Sequence, residues 1–194
     1  MSNTFRAGVV LFDDVEDLDF VGPVEVFSVA NRLNGGEIFS IVTLATRTPI
    51  RTAAGLSVNV SYVIPAEPPV DLLIVPGGSG VRRELENADF VKWIKAKVAD
   101  AGHVLSICTG ALLLAKAGAL KGLKATTHPA GADLLRELES DLTFFANARV
   151  VRNDRITVSG GIASGIDGAL AVVAILGSLQ LADRVAGFME YVRP

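Results

Sequence analysis

The chain has 194 residues, the size of one ordinary domain, and half of them are hydrophobic while 20% are charged. This composition argues against a disordered chain or a fibrous repeat, because enough apolar side chains are present to build a core. The formal net charge is −3, from 18 basic and 21 acidic residues, and without a basic cluster no nucleic-acid partner is expected.

The first half of the chain alternates between the hydrophobic periods of strands and helices. It predicts, in chain order, a strand over 7–12, an acidic loop over 13–19, a helix over 24–33 with Pro23 in its first turn, a strand over 37–45, a hairpin-like excursion over 50–63, a strand over 71–75 and a helix over 89–99.

The second half continues the alternation. It predicts a strand over 103–107, a helix over 111–120, a strand over 124–127, a helix over 130–138, strands over 149–152 and 155–158, and one long final helix after residue 165. Strands and helices in this order build a mostly parallel sheet with helices on both faces, so we expect an α/β sandwich of the flavodoxin-like kind. Ligands bind such sheets at the carboxyl ends of the strands.

The apolar segments are too short for a membrane protein. The longest uninterrupted one, residues 168–177, is about half of the roughly 20 residues that a spanning helix requires, so it predicts a buried helix. Residues 1–6 lack the apolar core of a secretory signal, which predicts a cytoplasmic protein. A single cysteine leaves no internal disulfide and no cysteine-rich metal site.

That cysteine, Cys108, has two interpretations. A free cysteine is often only a small buried hydrophobic residue. Here it directly follows a predicted strand and directly precedes a helix, which is typical of a nucleophile elbow. The positive end of the helix dipole at this position favours the thiolate. The pair Gly77-Gly78 ends another strand and is either a tight turn or, through the N–H groups of Gly78 and Thr109, a site for developing negative charge.

The candidates for an acid/base partner are few. His103 begins the strand that Cys108 ends, so it lies about 16 Å away at the opposite edge of the sheet. His128 follows a strand at the correct edge and is either a pocket residue or a structural histidine. Asp19 lies between two apolar residues, where burial would raise its pKa into a useful range, or it caps the following helix.

Five separated motifs follow one another in the order of a known family: LFDDVEDLDFVGPVEVF, LLIVPGGSGV, SICTGALLLAKAGAL, KATTH and VSGGIASGID. They resemble the ThiJ/PfpI superfamily and, within it, the isonitrile hydratase (isocyanide hydratase) branch. The resemblance spans almost the whole chain and implies one class I glutamine amidotransferase-like domain over 1–194. It also implies a homodimer that acts on a small molecule, with no metal and no organic cofactor.

By this resemblance, Cys108 matches the elbow nucleophile of the family and Asp19 matches the acidic residue that hydrogen-bonds it. Thr109 stands where PfpI-like proteases and many glyoxalases of the superfamily have histidine, which favours the hydratase-like branch. The residue after His128 is Pro129, where that branch usually has tryptophan, so the pocket is expected to differ in shape there.

The resemblance implies a lyase of the hydro-lyase class. Its Cys108 thiolate attacks an isocyanide and Asp19 manages the proton, giving a thioimidate that water converts to an N-substituted formamide. Gly77, Gly78, His128 and the apolar Ile162 are the expected substrate contacts. Two alternatives stay open: a glyoxalase- or amidase-like reaction through the same thiol, and a non-catalytic small-molecule or redox sensor related to AraC-type regulators. A DNA-reading region is not expected, since the sequence ends soon after the last predicted helix.

Overall fold

Strands and helices alternate along residues 4–193, the part of the chain that the computed structural model describes. The strands are β1 (Phe5–Val10), β2 (Phe39–Ala45), β3 (Ile50–Arg51), β4 (Ser57–Val58), β5 (Tyr62–Val63), β6 (Leu72–Val75), β7 (His103–Ile107), β8 (Lys124–Ala125), β9 (Thr143–Phe144), β10 (Val150–Arg152) and β11 (Ile156–Ser159). The helices are α1 (Asp17–Asn34), α2 (Val81–Glu84), α3 (Ala88–Asp100), α4 (Gly110–Lys116), α5 (Ala132–Leu138), α6 (Ser164–Leu176) and α7 (Leu179–Phe188), with a short 3₁₀ turn at Pro129–Gly131.

The central sheet has seven strands in the spatial order β10-β11-β7-β6-β1-β2-β5. Its neighbouring strands run parallel, except that β10 pairs antiparallel with β11. Helices α1, α6 and α7 pack together on one face, and α2, α3, α4 and α5 pack together on the other. The predicted α/β architecture, a mostly parallel sheet between two helical layers, is confirmed.

The middle of the sheet is the centre of the core. Each residue of β6, Leu72–Val75, is fully buried, and β7 is buried from Val104 onward. A strand covered by helices on both faces needs a continuous apolar run rather than an alternating one. These runs are also the segments whose strand assignment the sequence makes most clearly.

The prediction of an acidic loop over 13–19 is wrong for residues 17–19, which are helical. Helix α1 begins at Asp17, so Asp17 and Asp19 lie in its first turn, where the positive end of the helix dipole stabilises acidic side chains. Pro23 therefore lies inside α1 and not in its first turn, and it cannot donate a backbone hydrogen bond to the carbonyl of Asp19.

Three short strands, β5, β8 and β9, differ from the prediction. The hairpin expected over 50–63 is present as β3 and β4, but the same segment also adds β5 to the edge of the central sheet. The strand predicted over 124–127 is reduced to β8, which pairs with β9, a strand that the pattern did not predict. These pairings involve two residues on each strand, too few to produce a periodic signal.

The single final helix that was predicted is two helices. Gly177 leaves the helical conformation, with φ −109° and ψ −96°, and the side chain of Ser178 caps α7 by accepting the Leu181 N–H at 3.1 Å. The apolar stretch 168–177 lies largely in α6, packed on the sheet. Within residues 4–193, no helix has the length and apolar character needed to cross a membrane.

Candidate active site

Cys108 lies in the turn between β7 and α4. Its φ angle of 55° is in the left-handed region, which is strained for a residue with a side chain. The surrounding backbone holds this conformation, because the Cys108 N–H donates to the carbonyls of Ser159 and Gly160, both at 3.1 Å. The Cys108 carbonyl in turn accepts the Thr127 hydroxyl at 2.7 Å. The sharp bend predicted at this position is present and is fixed by the neighbouring strand β11.

Asp19 approaches the cysteine from the first turn of α1. Its side chain is fully buried, and Oδ2 accepts the Gly77 N–H at 3.0 Å. The same carboxyl group hydrogen-bonds the Cys108 thiol. The other oxygen, Oδ1, is buried and accepts no N–H or O–H group of the described residues. A carboxylate with so few donors is poorly compensated for the loss of water, which favours its protonated form.

Burial shifts the pKa of both groups upward. It raises the pKa of Asp19 to about 7; the Gly77 amide and the Cys108 thiol oppose the shift, and the nearby charge of Glu16 adds to it. Burial, followed by repulsion from Asp19, raises the pKa of Cys108 to about 12. Because the two groups are in contact, they titrate as a pair that holds two protons below about pH 7 and one proton between about 7 and 12.

The helix dipole was expected to favour the Cys108 thiolate, and the raised pKa of the thiol opposes that expectation. The thiol is only 6% exposed, and the loss of water together with the adjacent carboxyl group outweighs the dipole of the short helix α4. Proton transfer within the pair would give the thiolate and would leave Asp19 as the carboxylic acid. Such a pair supplies a nucleophile and a proton donor at the same time.

Thr109 connects the elbow with the turn that follows β6. Its Oγ1 accepts the Gly78 N–H at 3.0 Å, and its hydroxyl donates to the Gly78 carbonyl at 3.3 Å. Its backbone N–H hydrogen-bonds the Cys108 sulfur. The Gly78 N–H predicted to face developing negative charge is therefore already donated to a side chain, so that prediction is wrong for this arrangement. The Thr109 N–H is next to the sulfur, as the prediction requires.

A pocket of about 270 Å³ opens beside Cys108. Five of its lining residues were singled out from the sequence: Gly78, Cys108, Thr109, His128 and Ile162. Glu16 belongs to the predicted acidic segment, whose carboxylates were the candidates for the proton carrier, and the other three were not predicted: Ser79, Arg82 and Ala130. Asp19 and Gly77 complete the group from its buried side. The structure thus brings the predicted residues together, while the roles assigned to them stay predictions.

The two histidines lie at opposite edges of the sheet, one at the amino ends and one at the carboxyl ends of its strands. His103 begins β7, far from the pocket, as expected. His128 lines the pocket, although β8 is not part of the central sheet. The segment after β8 crosses the carboxyl edge of the sheet, where the Thr127 hydroxyl donates to the Cys108 carbonyl. Nδ1 of His128 accepts the Ala130 N–H at 3.2 Å, so the neutral ring carries its proton on Nε2. Its structural and pocket-lining roles coexist.

The site lies where the strand order reverses. From β1 the chain moves outward to β2, and it later returns to β6 on the other side of β1. A crevice forms at such a point between the carboxyl ends of the two strands. Glu16 and Asp19 enter it from the β1 side, and the turns after β6 and β7 supply the rest. No group of three or more His, Cys, Asp or Glu side chains in residues 4–193 is arranged to hold a metal ion.

Gly77→Ala should destabilise the protein by about 1–3 kcal/mol, a typical cost of overpacking. An added Cβ would lie 2.6 Å from both the backbone N and Oγ1 of Thr109 and 2.9 Å from Oδ2 of Asp19. Urea unfolding would measure the change, with Gly187→Ala in α7 as the control, because a Cβ added there meets no atom within 4 Å apart from its chain neighbours and the backbone of its own helix. Equal unfolding midpoints for the two variants would contradict the close approach.

Asp19→Asn should remove a pH dependence of stability. Between its unfolded pKa of 3.8 and its folded pKa of about 7, the folded protein holds a proton that the unfolded chain has released, so stability falls as the pH rises through this window. Asparagine does not ionise. Between pH 4 and 8, the free energy of unfolding of the variant should therefore rise relative to that of the wild type by up to about 4 kcal/mol. Urea unfolding at several pH values measures this difference. A difference that does not change with pH would contradict the raised pKa.

These features define an α/β protein with a cysteine at a strand-to-helix elbow and a buried carboxyl group in contact with it. The chain belongs to the DJ-1/PfpI family, whose model matches residues 5–175. This result confirms the resemblance stated from the motifs.

The chain is similar to an isonitrile hydratase from Pseudomonas putida, with 33% identity over 186 residues that cover 96% of this chain and 78% of the relative. It is also 32% identical over 169 residues to the HTH-type transcriptional regulator CdhR from Pseudomonas aeruginosa, covering 87% of this chain and half of the regulator. Among solved structures, a ThiJ/PfpI family protein from Pseudomonas syringae superposes with a TM-score of 0.88 at 26% identity, over 99% of this chain and 77% of that one.

Proposed function

We propose that this protein is a cysteine-dependent hydro-lyase that adds water to a small isocyanide and releases an N-substituted formamide. The observation that carries the proposal is the contact between Asp19 and Cys108 at the closed end of a small pocket. This pair provides a nucleophile and a proton donor without the help of a histidine. The residue after the cysteine, where other branches of the superfamily have histidine, is Thr109. The similarity to an isonitrile hydratase over most of both chains supports the same reaction.

The first step forms a covalent intermediate. In the singly protonated pair, the thiol proton passes to Asp19, and the Cys108 thiolate attacks the terminal carbon of the isocyanide. A carbon–sulfur bond forms while Asp19 delivers its proton to the same carbon. The product is a thioimidate, in which Cys108 carries the group S–CH=N–R and Asp19 is a carboxylate. The Thr109 N–H next to the sulfur lies where it can stabilise the attacking thiolate.

The second step regenerates the enzyme. Asp19 takes a proton from water as the oxygen adds to the thioimidate carbon, and it passes that proton to the nitrogen. The carbon–sulfur bond then breaks, the new hydroxyl group returns its proton to Asp19, and Cys108 leaves as the thiolate. The sum is one isocyanide and one water consumed for each formamide released.

The direct test is formamide formation by the purified protein. An alkyl isocyanide is incubated with the protein at pH 8, and the formamide is measured by liquid chromatography with mass spectrometry. Methylglyoxal and a simple primary amide are run in parallel, since the same thiol is the expected nucleophile of a glyoxalase- or amidase-like reaction. Turnover of the isocyanide alone supports the proposal. Turnover of the aldehyde or the amide, with the isocyanide unchanged, would overturn it.

The similarity to CdhR favours a second candidate, a domain that binds a small molecule without converting it. This chain spans only half of that regulator's length, so the regulator's own activity is not carried over. The two candidates differ in one observation. A sensor would bind the isocyanide or be oxidised at Cys108 with no release of formamide, whereas the hydratase turns over many times.

The proposal takes the working unit to be a cytoplasmic homodimer that acts on a small molecule. Membership of the family supports the dimer. The pocket volume supports a small ligand, because pockets for drug-sized ligands enclose roughly 300–1,000 Å³ and this pocket, at about 270 Å³, lies just below that range.

A further inference from the structure

The pocket has a closed end and an open end that differ in charge. Cys108 is at the closed end and is only 6% exposed, whereas Arg82 lines the pocket from α2 with an exposed side chain. Within residues 4–193, the Arg82 guanidinium forms no ion pair and no side-chain hydrogen bond. The Arg82 guanidinium therefore lies at the mouth of the pocket, and its N–H donors have no partner among the described residues.

The neighbouring arginine shows that this freedom is specific to position 82. Arg83 pairs with the carboxylate of Asp14 at 3.1 Å, donates to the Asp13 carbonyl at 2.6 Å and contacts Glu84 at 3.5 Å. These bonds anchor α2 to the loop after β1. Of two consecutive arginines, one holds the wall of the pocket in place and the other faces the pocket without a protein partner.

Two other donors lie on the same pocket. His128 carries its ring proton on Nε2, because Nδ1 accepts a backbone N–H, and Ser79 contributes a hydroxyl group. Glu16 is the opposing charge. Its carboxylate raises the pKa of Asp19, and within residues 4–193 it forms no ion pair with Arg82.

The charges of the pocket make Arg82 important for the binding of anionic ligands. When the Cys108–Asp19 pair holds one proton, the pair and Glu16 are both negative, and a neutral substrate needs no cation. An anionic substrate is repelled by both of these charges unless a positive group offsets them. A free guanidinium with its planar fork of donors is suited to bind a carboxylate with two parallel hydrogen bonds.

The shape of an isocyanide sets where its substituent lies. The C≡N–R unit is linear, so a terminal carbon placed at the Cys108 sulfur directs the substituent away from the closed end and toward the mouth. We propose that the substrate is an isocyanide whose substituent carries a carboxylate, and that Arg82 is the specificity residue that binds this carboxylate. The isocyanide part of this inference rests on the proposed function, whereas the recognition of a carboxylate by Arg82 does not.

The test compares isocyanoacetate with its uncharged methyl ester in the wild type, Arg82→Gln and Arg152→Gln. Arg152 is an exposed arginine on β10 outside this pocket, so its variant loses the same charge elsewhere. In Arg82→Gln we expect KM for isocyanoacetate to rise about tenfold or more, with kcat nearly unchanged and with the ester unaffected. Arg152→Gln should behave as the wild type. Equal effects of Arg82→Gln on both substrates, or no effect on either, would overturn the inference.

A binding measurement separates this inference from the proposed function. N-formylglycine and its methyl ester are titrated calorimetrically into Cys108→Ala and into Cys108→Ala with Arg82→Gln. Preference for the acid in the first protein, lost in the second, supports carboxylate binding by Arg82 whether or not an isocyanide is hydrated. No preference in either protein overturns it. If the wild type hydrates neither isocyanide, the proposed function fails, and the calorimetry alone decides the role of Arg82.

Discussion

Cys108→Ala should lower the rate of formamide formation from an alkyl isocyanide by about 10³-fold or more, the scale of losing an attacking nucleophile. The alanine side chain has no atom that can form the thioimidate, while the elbow backbone remains held by Ser159, Gly160 and Thr127. The measurement is the initial rate at saturating isocyanide, with the unfolding midpoint recorded for both proteins to show that the fold is retained.

Cys108→Ser is the matched variant for this experiment. It keeps an oxygen where the sulfur was and preserves a hydrogen bond with Asp19, but a hydroxyl group ionises far less readily than a thiol. We expect a loss close to that of Cys108→Ala. Activity within about tenfold of the wild type in either variant would show that the sulfur does not form the bond to the substrate.

Asp19 should give the pH–rate profile its main feature. In the wild type, kcat/KM should rise with pH through about 7, as the pair loses its first proton, and then stay level to at least pH 9, because the second proton is held to about 12. Asp19→Asn should lose about 10²-fold or more in rate, as expected for removal of an acid/base group, and should lack the inflection near 7.

Glu16→Gln is the variant that distinguishes catalysis from structure in this profile. The charge of Glu16 raises the pKa of Asp19, so its removal should move the inflection to lower pH while Asp19 stays in place. A merely structural Asp19 would leave the inflection where it is in both variants. An unchanged profile in Asp19→Asn would contradict the assignment of Asp19 as the proton carrier.

The elements that the sequence predicts well are those whose signal is local. The apolar runs of β6 and β7 are continuous because helices cover both faces, and the elbow is visible because Cys108 has almost no loop on either side. The motifs around these elements also gave the family. The positions of Cys108, Thr109 and His128 after predicted strands place all three at one edge of the sheet.

The start of α1 was missed because tertiary contacts decide it. The acidic segment looks like a solvated loop, yet Oδ2 of Asp17 accepts the Ala54 N–H at 2.9 Å, and Asp19 is bonded to Gly77. Partners from the hairpin and from the β6 turn convert this segment into a helical turn. Spacing along the chain carries no trace of such distant partners.

The electrostatics of the site were predicted only in part: burial raises the pKa of Asp19 to about 7, as expected, whereas the raised pKa of the Cys108 thiol was not predicted. A cysteine at a helix start predicts a lowered pKa, but the pKa of Cys108 depends on how much water and which charge remain around the sulfur. Arg82 had one weak signal, two consecutive arginines just after the glycine turn. Which of the two faces the pocket follows only from the pairing of Arg83 with Asp14.

Rapid-quench mass spectrometry of the protein mixed with a small alkyl isocyanide tests the central claim most directly. The account predicts that, within the first turnover, the peptide containing Cys108 gains the mass of one isocyanide, and that this adduct decays as formamide appears. Formamide produced while that peptide stays unmodified at every time point would contradict it.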